Sequence, residues 1–263
     1  MIPKKIHYCW FGGNPMTELG EKCIASWKKY CPDYEIVRWD ESNYDVTKNE
    51  YMKQAYDAKK WAFVTDYVRL DIIYEHGGIY LDTDVELVKN IDELLSNKAF
   101  MGYGCTGGVA TGLGFGAESG LKIIRELRDY YDKVPFVNED GSYNTAPCVK
   151  YQTEYLLEHG MVDENILQNV EDITIYPKEY LCPMDYSTGA LTITENTYSI
   201  HHYESSHWSK RARNGNLRMR RAQKNYGKMG FYIYSHSRLA RVLDMVLHGE
   251  FREYLDDVRS EKK

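Results

Sequence analysis

The 263-residue sequence lacks the patterns that mark several specialised classes of protein. None of its six cysteines forms a CxxC pair, so no zinc site is indicated, and their scatter is typical of reduced intracellular thiols. No apolar run approaches the roughly 18 residues of a membrane span. The opening Met1-Ile2-Pro3 is followed by a polar mixture that does not have the pattern of a signal peptide. We therefore expect a cytoplasmic protein without a membrane-spanning helix.

Charge and composition further limit the classes of protein to which the chain can belong. The net charge of -6 argues against binding to nucleic acid through bulk electrostatics. The 43% of hydrophobic and 27% of charged residues are typical of globular proteins, and the length allows one large domain or two small ones. A glycine-rich stretch at 104–118 lacks the GxxxxGK(S/T) pattern of a phosphate-binding loop. We predict a strand pair with close backbone approach there instead.

The segment 61–87 organises the rest of the chain. Apolar residues recur at helical spacing from Trp61 to Ile72, and most of the positions between them are also apolar. This pattern predicts a helix that is buried nearly all round. Charges on such a helix are costly unless they are paired or used, and Asp66 and Arg69 share a face because they are three residues apart. They form either a structural ion pair or part of a binding site.

A pair of glycines and a short strand follow this helix. The apolar strand 78–82 ends on Asp82-Thr83-Asp84, because aspartate is a poor strand former. Open α/β sheets bind their ligands at the carboxyl ends of strands. Two carboxylates separated by one residue can hold a hard divalent cation such as Mg²⁺ or Mn²⁺, directly or through water. The sequence therefore predicts a metal site at Asp82 and Asp84.

Strand and helix patterns alternate through the chain, as in α/β layered folds. A late strand at 197–200 runs into His201 and His202. Adjacent residues of a strand face opposite ways, so at most one of these histidines faces a given site. Further strands are predicted at 2–11, 34–39, 85–88, 99–103 and 173–176, and helices at 17–30, 50–60, 91–95, 120–131 and from Pro147 to about Glu158.

The segments 65–69 and 74–84 together resemble the core of the DXD-containing glycosyltransferases of family 32, which include initiating mannosyltransferases and capsular polysaccharide transferases. They also resemble the glucosylating domain of large clostridial toxins. The opening Ile6-His7-x-x-Trp10-x-Gly12-Gly13 has a counterpart in the same families. The resemblance implies a GT-A type α/β fold, with a central mixed sheet flanked by helices. It implies a catalytic domain at 1–208 and a helical extension at 209–263.

The resemblance also implies a function. This function is the transfer of a hexose from a nucleoside-diphosphate sugar with retention of the anomeric configuration. UDP-glucose and UDP-galactose are the favoured donors. The acceptor is a glycan or a lipid-linked oligosaccharide in surface polysaccharide synthesis, and the cofactor is Mn²⁺ or Mg²⁺. Two alternatives remain open. One is a haloacid-dehalogenase-type phosphatase with Asp82 as covalent nucleophile, and the other is a non-catalytic sugar-binding module.

Particular residues take roles by the same resemblance. Asp84 is a direct metal ligand, and Asp82 binds the ion through water or touches the ribose. Asp66 and Arg69 hold the sugar, and Trp10 stacks on the base. His202 or Ser206 completes the metal site. The remaining donor contacts are Cys9, Thr83, Asn144, Ser206 and Trp208. For Asn144, a plain helix start is the alternative.

The composition changes beyond Trp208. Seven lysines and arginines lie between Lys210 and Lys224. A terminal helix is predicted at 237–258, with Leu239, Leu243 and other aliphatic residues on one face. This extension either packs on the domain with its arginines solvated, or lies against an anionic membrane surface.

Overall fold

The computed structural model describes residues 1–204 and 210–260 and divides the chain into two compact units. The first unit comprises 1–183 and 192–202, and the second comprises 184–191 and 203–263. The predicted domain boundary after Trp208 lies outside the described residues and stays a prediction. Nothing in the sequence indicated that residues 184–191 belong to the same unit as the C-terminal helices.

All described strands belong to the first unit, and three of the helices belong to the second. The strands are β1 (Lys5–Cys9), β2 (Glu35–Trp39), β3 (Gly78–Tyr80), β4 (Val85–Leu87), β5 (Ala99–Gly102), β6 (Phe115–Ala117), β7 (Gln168–Val170), β8 (Ile173–Tyr176) and β9 (Ser199–His201). The helices are α1 (Glu18–Tyr30), α2 (Glu50–Asp57), α3 (Trp61–His76), α4 (Lys122–Asp129), α5 (Cys148–Glu158), α6 (Lys178–Leu181), α7 (Lys210–His236), α8 (Arg238–Leu247) and α9 (Phe251–Ser260). A short 3-10 helix spans Asp92–Ser96.

Seven strands form a central mixed sheet in the order β2-β1-β3-β6-β5-β8-β7. Strand β1 runs parallel to both β2 and β3, whereas β6 is antiparallel to its neighbours β3 and β5. Adjacent residues of β3, Ile79 and Tyr80, belong to two different hydrophobic cores. Because side chains alternate along a strand, the sheet has one core on each face. This confirms the predicted α/β class with a central mixed sheet flanked by helices.

Helix α3 is buried, as predicted, and its charged residues are paired. Asp71 is only 3% exposed, and its carboxylate accepts a hydrogen bond from the Tyr44 hydroxyl at 2.6 Å. Lys48 Nζ and Arg128 Nη1 each lie 3.0 Å from its oxygens. A buried carboxylate is tolerated when it is paired and hydrogen-bonded. Asp71 is therefore a structural group of this helix.

The turn from α3 to β3 requires glycine. Gly77 and Gly78 have φ angles of +63° and +102°, which most side chains disfavour. A Cβ at Gly78 would also lie 3.0 Å from His7 Nε2. The buried His7 ring approaches Gly77 O at 3.0 Å and accepts a hydrogen bond from Trp39 Nε1. The turn thereby fixes the start of β3 and the place where Asp82 follows it.

The structure corrects several predicted elements. Strand β3 ends at Tyr80, so Asp82 lies two residues beyond the strand. Residues 85–87 form β4, which pairs with β9 in a separate two-stranded antiparallel sheet. The predicted helix at 237–258 is two helices, because Gly249, with a φ of +70°, separates α8 from α9.

Three arginines of the second unit, Arg218, Arg220 and Arg221, are paired within it and so depart from the alternative in which the arginines are solvated. Helix α7 contains a break at Gly227. Arg218 Nε lies 2.6 Å from Glu250, and Arg221 contacts both Glu250 and Asp244 at 2.6 Å. Arg220 donates to Tyr186 O at 2.9 Å. Among the described residues, we find no helix whose length and apolar character would allow it to cross a membrane.

Candidate functional site

Two carboxylates and a histidine converge where the central sheet meets the small sheet. Asp82 follows β3, Asp84 precedes β4, and His201 is the last residue of β9. The antiparallel register pairs His201 with Val85, so the histidine lies beside Asp84. His201 Nε2 is 3.3 Å from Asp84 Oδ1. One ligand atom from each of Asp82, Asp84 and His201 lies within 4.8 Å of the others.

The two adjacent histidines face opposite ways, as the alternation along the strand predicts. His202 Nε2 lies 2.8 Å from Glu86 Oε2, which also pairs with Lys22 at 2.8 Å. His202 is therefore engaged away from the acid pair. The structure thus places His201, rather than the predicted His202, beside the acid pair because of the register of β9 on β4, and the identity of the metal ligands stays a prediction.

The charges of this cluster fit a divalent cation. Burial raises the pKa of Asp82; Arg69 opposes this rise, whereas the charge of Asp84 adds to it. Burial would lower the pKa of His201, but Asp84 and Asp82 outweigh it and raise that pKa. Like charges held this close repel each other until a cation balances them. Two carboxylates and an imidazole can hold a divalent metal ion.

Arg69 joins the acid pair to the charged face of α3. It is only 4% exposed, and its Nη2 lies 3.2 Å from Asp66 Oδ1 and 3.5 Å from Asp82 Oδ1. Its Nε donates to Thr65 O at 2.9 Å, so the guanidinium is held in one orientation. Tyr80 donates its hydroxyl to Asp82 at 3.0 Å. Arg69 is thus both an internal ion-pair partner and a neighbour of the metal site.

Asp66 is the buried acceptor at the far end of this network. Burial raises its pKa to about 6, although Arg69 favours the charged form. The neighbouring Cys148 thiol at the start of α5 opposes this rise in pKa. Asp66 is therefore a buried carboxylate paired with Arg69 at 3.2 Å. A carboxylate placed in this way can accept hydrogen bonds from sugar hydroxyls.

At Gly112 the backbone lies in close contact with the site, and the sequence did not indicate this position. A Cβ at this position would lie 2.6 Å from Asp82 Oδ2 and 2.9 Å from Arg69 Nη1. Thr111 beside it is held by the buried Gln152, through bonds of 3.0 and 2.8 Å to the Thr111 N–H and hydroxyl. The glycine-rich composition predicted close approach in this stretch. It did not indicate which glycine approaches what.

We expect Gly112→Ala to lower activity by about 10- to 100-fold, because a displacement of about 1 Å in a site can cost this much. The new methyl would displace the Asp82 carboxylate, since Gln152 holds the neighbouring backbone. Initial rates and the half-saturating Mn²⁺ concentration measure the effect. Gly104→Ala, in the same loop, is the control because its Cβ would lie no closer than 3.4 Å to other atoms. Equal rates for the two variants would show that the close approach is unimportant.

Of the donor contacts predicted at the first strand, Cys9 lies near the site. His7 pairs with Tyr80 in the parallel register, so Cys9 is level with Asp82. Burial raises the pKa of the Cys9 thiol. Trp10 is half-buried in the loop after β1, and its Nε1 donates to Asn14 O at 2.6 Å. Their roles toward a donor stay predictions, as does that of the half-buried Thr83.

The structure gives less information about the remaining predicted contacts with the donor. Asn144 Oδ1 accepts hydrogen bonds from Ala146 N at 3.2 Å and from the Tyr151 hydroxyl at 3.1 Å. It therefore stabilises the turn before α5, as the alternative of a plain helix start predicts. Its contact with a donor stays a prediction. Ser206 and Trp208 lie outside the described residues.

Comparison with known proteins supports the chemistry of this site. The model of a family described as "Glycosyltransferase sugar-binding region containing DXD motif" matches residues 17–101, which include Asp82-Thr83-Asp84. Inositol phosphoceramide mannosyltransferase 3 of Schizosaccharomyces pombe is 32% identical over 157 residues, covering 56% of this chain and 43% of that protein. An uncharacterized glycosyltransferase of Acanthamoeba polyphaga mimivirus is 27% identical, covering 80% and 84% of the two chains.

Two solved structures are similar at low identity. The PaToxG glycosyltransferase has a TM-score of 0.47 at 17% identity, covering 60% of this chain and 69% of that chain. A glycosyltransferase involved in glycosylation of the major capsid of PBCV-1 has a TM-score of 0.46 at 13% identity, with coverages of 81% and 98%.

The family model and the relatives indicate the same class of protein, the glycosyltransferases. The similarity to that family model lies in residues 17–101 of this chain, which contain Asp82-Thr83-Asp84. The chain spans less than half the length of the two Schizosaccharomyces pombe mannosyltransferases that it matches, 43% of one and 33% of the other.

Proposed function

We propose that the protein is a divalent-metal-dependent glycosyltransferase that moves a hexose from a nucleoside-diphosphate sugar to a glycan or lipid-linked acceptor. The observation that carries the proposal is the cluster of Asp82, Asp84 and His201, whose ligand atoms lie within 4.8 Å of one another. The Arg69–Asp66 pair adjoins it, at 3.5 Å from Asp82. A nucleotide-sugar donor needs such a charged end for its diphosphate and a polar end for its sugar.

Each group has a defined task in this proposal. Asp82, Asp84 and His201 would hold Mn²⁺ or Mg²⁺, and the ion would neutralise the charge that develops on the leaving diphosphate. Arg69 and Asp66 bind the sugar hydroxyls and orient the anomeric carbon. Because both side chains are fixed before the donor arrives, little entropy is lost on binding, and such positioning is worth several kcal/mol. Trp10 stacks on the base.

Retention of configuration belongs to the proposal through the family resemblance. A retaining hydrolase places a second carboxylate as nucleophile against the anomeric carbon. The buried carboxylate next to Asp82, that of Asp66, is paired with Arg69 at 3.2 Å. We therefore propose attack from the side of the leaving group. The acceptor oxygen bonds to the anomeric carbon as the bond to the diphosphate breaks, and a diphosphate oxygen takes the hydroxyl proton.

Donor, acceptor and location are also proposals. UDP-glucose and UDP-galactose remain the favoured donors, and the names of the yeast relatives add mannose to the sugars to be tested. Those names specify inositol phosphoceramide, a lipid, as the acceptor of the relatives, which supports a lipid-linked acceptor here. Surface polysaccharide synthesis is the proposed pathway. A reducing location such as the cytoplasm is part of the proposal, because the six cysteines are scattered through the sequence as is typical of reduced thiols.

A panel of nucleotide sugars tests the proposal. UDP-glucose, UDP-galactose and GDP-mannose are incubated with the protein and Mn²⁺, and nucleotide release is measured before and after chelation with EDTA. We expect metal-dependent release from one of them, with thermal stabilisation by the same donor. Stabilisation without turnover would favour the sugar-binding module. Release of inorganic phosphate from phosphate esters, without sugar transfer, would favour the phosphatase.

The adjacent histidines provide a matched pair of variants. We expect His201→Ala to raise the half-saturating Mn²⁺ concentration by about tenfold or more, because even residues that only support ligands contribute 10- to 100-fold to metal affinity. His202→Ala should leave this value unchanged, since its partner is Glu86. The measurement is the initial rate of donor hydrolysis against Mn²⁺ concentration. A metal response altered only in His202→Ala would contradict the assignment.

A further inference from the structure

Helix α8 of the second unit turns its apolar side outward. Four aliphatic side chains at helical spacing are between 52% and 78% exposed: Leu239, Leu243, Val246 and Leu247. The opposite side carries the buried Met245 and Asp244, whose carboxylate pairs with Arg221 at 2.6 Å. A surface helix of a globular protein normally has the reverse arrangement, with apolar residues inside. The sequence predicted this apolar face but did not indicate that it faces solvent.

The second half of α7 repeats this arrangement. After the break at Gly227, the buried side of the helix carries Gly230 and Tyr234. The side that remains exposed carries large apolar residues. Three of them, between 47% and 69% exposed, are Met229, Tyr232 and Ile233, and Tyr226 just before the break is 66% exposed. Contiguous exposed apolar side chains of this number mark an interaction surface rather than an ordinary surface.

The segment that contains α7 and the first part of α8 has charges of a single sign. The segment 205–243 contains ten lysines and arginines and no aspartate or glutamate, although the chain as a whole has a net charge of -6. Arg218, Arg220 and Arg221 are used inside the unit. The cations that remain exposed beside the apolar faces are Lys224, Lys228, Arg238 and Arg241.

We propose that the outward apolar faces of α7 and α8 dock on an anionic lipid bilayer surface. The aliphatic side chains would enter the boundary between head groups and acyl chains, with the tyrosine hydroxyls at head-group level. The exposed cations would meet anionic head groups. A second copy fits less well, because two copies of this face would place cation against cation. The proposal does not depend on the glycosyltransferase function of the first unit.

Vesicle co-sedimentation of the full chain tests the proposal. The vesicles contain phosphatidylcholine either alone or mixed with phosphatidylglycerol, at low and high salt. We expect binding to the anionic vesicles that weakens with salt. The double variant Leu243→Gln/Leu247→Gln should bind about tenfold more weakly or worse, because it removes two apolar side chains from the contact. Lys224→Gln/Lys228→Gln should weaken binding chiefly at low salt.

The control is Ile166→Gln/Leu167→Gln, which changes two exposed apolar side chains of the first unit and should bind as the wild type does. Circular dichroism and melting temperatures establish that the variants are folded. Absence of binding at low salt overturns the proposal, as does binding that Leu243→Gln/Leu247→Gln leaves unchanged. Self-association that this variant abolishes, without any vesicle binding, also overturns it and assigns the face to a second copy.

Discussion

Replacing Asp84 by asparagine is expected to abolish sugar transfer while leaving the fold intact. The Asp84 carboxylate lies in the cluster with Asp82 and His201, and asparagine retains its shape but loses its charge. A cation that stabilises a developing diphosphate is worth several kcal/mol. A loss of about 4 kcal/mol corresponds to roughly a thousandfold fall in rate. The measurement is the initial rate at limiting Mn²⁺, together with the melting temperature.

The matched control for this variant is Glu86→Gln. Glu86 is two residues further along and lies in β4, but its partners are His202 and Lys22. Both variants remove one carboxylate charge from the same short segment, and only Asp84→Asn removes it from the cluster. Turnover of Asp84→Asn close to that of the wild type at limiting Mn²⁺ would show that the metal assignment is wrong.

The second large effect is expected from Arg69→Ala. Removal of the guanidinium leaves the buried carboxylate of Asp66 and the partly exposed carboxylate of Asp82 without their cation. Breaking a buried ion pair costs about 3–5 kcal/mol. Without Arg69, the pKa of Asp66 rises above its present value of about 6, so more of this carboxyl is protonated at neutral pH and cannot act as an ionised acceptor. We therefore expect affinity for the full donor to fall more than affinity for the nucleoside diphosphate.

Calorimetric titration of both ligands measures this difference. Arg128→Ala is the control because Arg128 also pairs with a buried carboxylate of α3, that of Asp71, at 3.0 Å. It should lower the melting temperature without changing the ratio of the two affinities. If Arg69→Ala weakens both ligands equally and also lowers the melting temperature, then Arg69 is a structural ion-pair residue and the sugar-binding role is wrong.

Much of the site follows from local patterns in the sequence. The buried helix α3, the turn at Gly77-Gly78 and the strand that leads to Asp82 each depend on residues that are close in the chain. Helical spacing places Asp66 and Arg69 on one face, and their measured separation of 3.2 Å agrees with this. Alternation along a strand separates His201 from His202. These features were predicted because 3.6-residue and 2-residue periodicities are properties of the local backbone.

The second unit shows where local patterns fail. The apolar stripe of α8 was predicted correctly. The sequence does not determine whether this stripe faces the interior or the solvent, because that depends on how the helix packs. Asp244 of α8 pairs with Arg221, and Glu250 pairs with Arg218 and Arg221. These contacts over some 20 to 30 residues place the polar side of the helix inside. The aliphatic side is therefore left outside.

The sequence by itself determined the class of fold, the acid pair at the end of β3 and the charged face of α3. Only the tertiary structure decided that His201 rather than His202 joins the acid pair. It also decided that the backbone at Gly112 lies against Asp82 and that three arginines of the basic run are paired. Each of these outcomes depends on contacts between residues far apart in the chain, such as the register of β9 on β4. A shift of one residue in that register would exchange the two histidines, since neighbouring side chains of a strand face opposite ways.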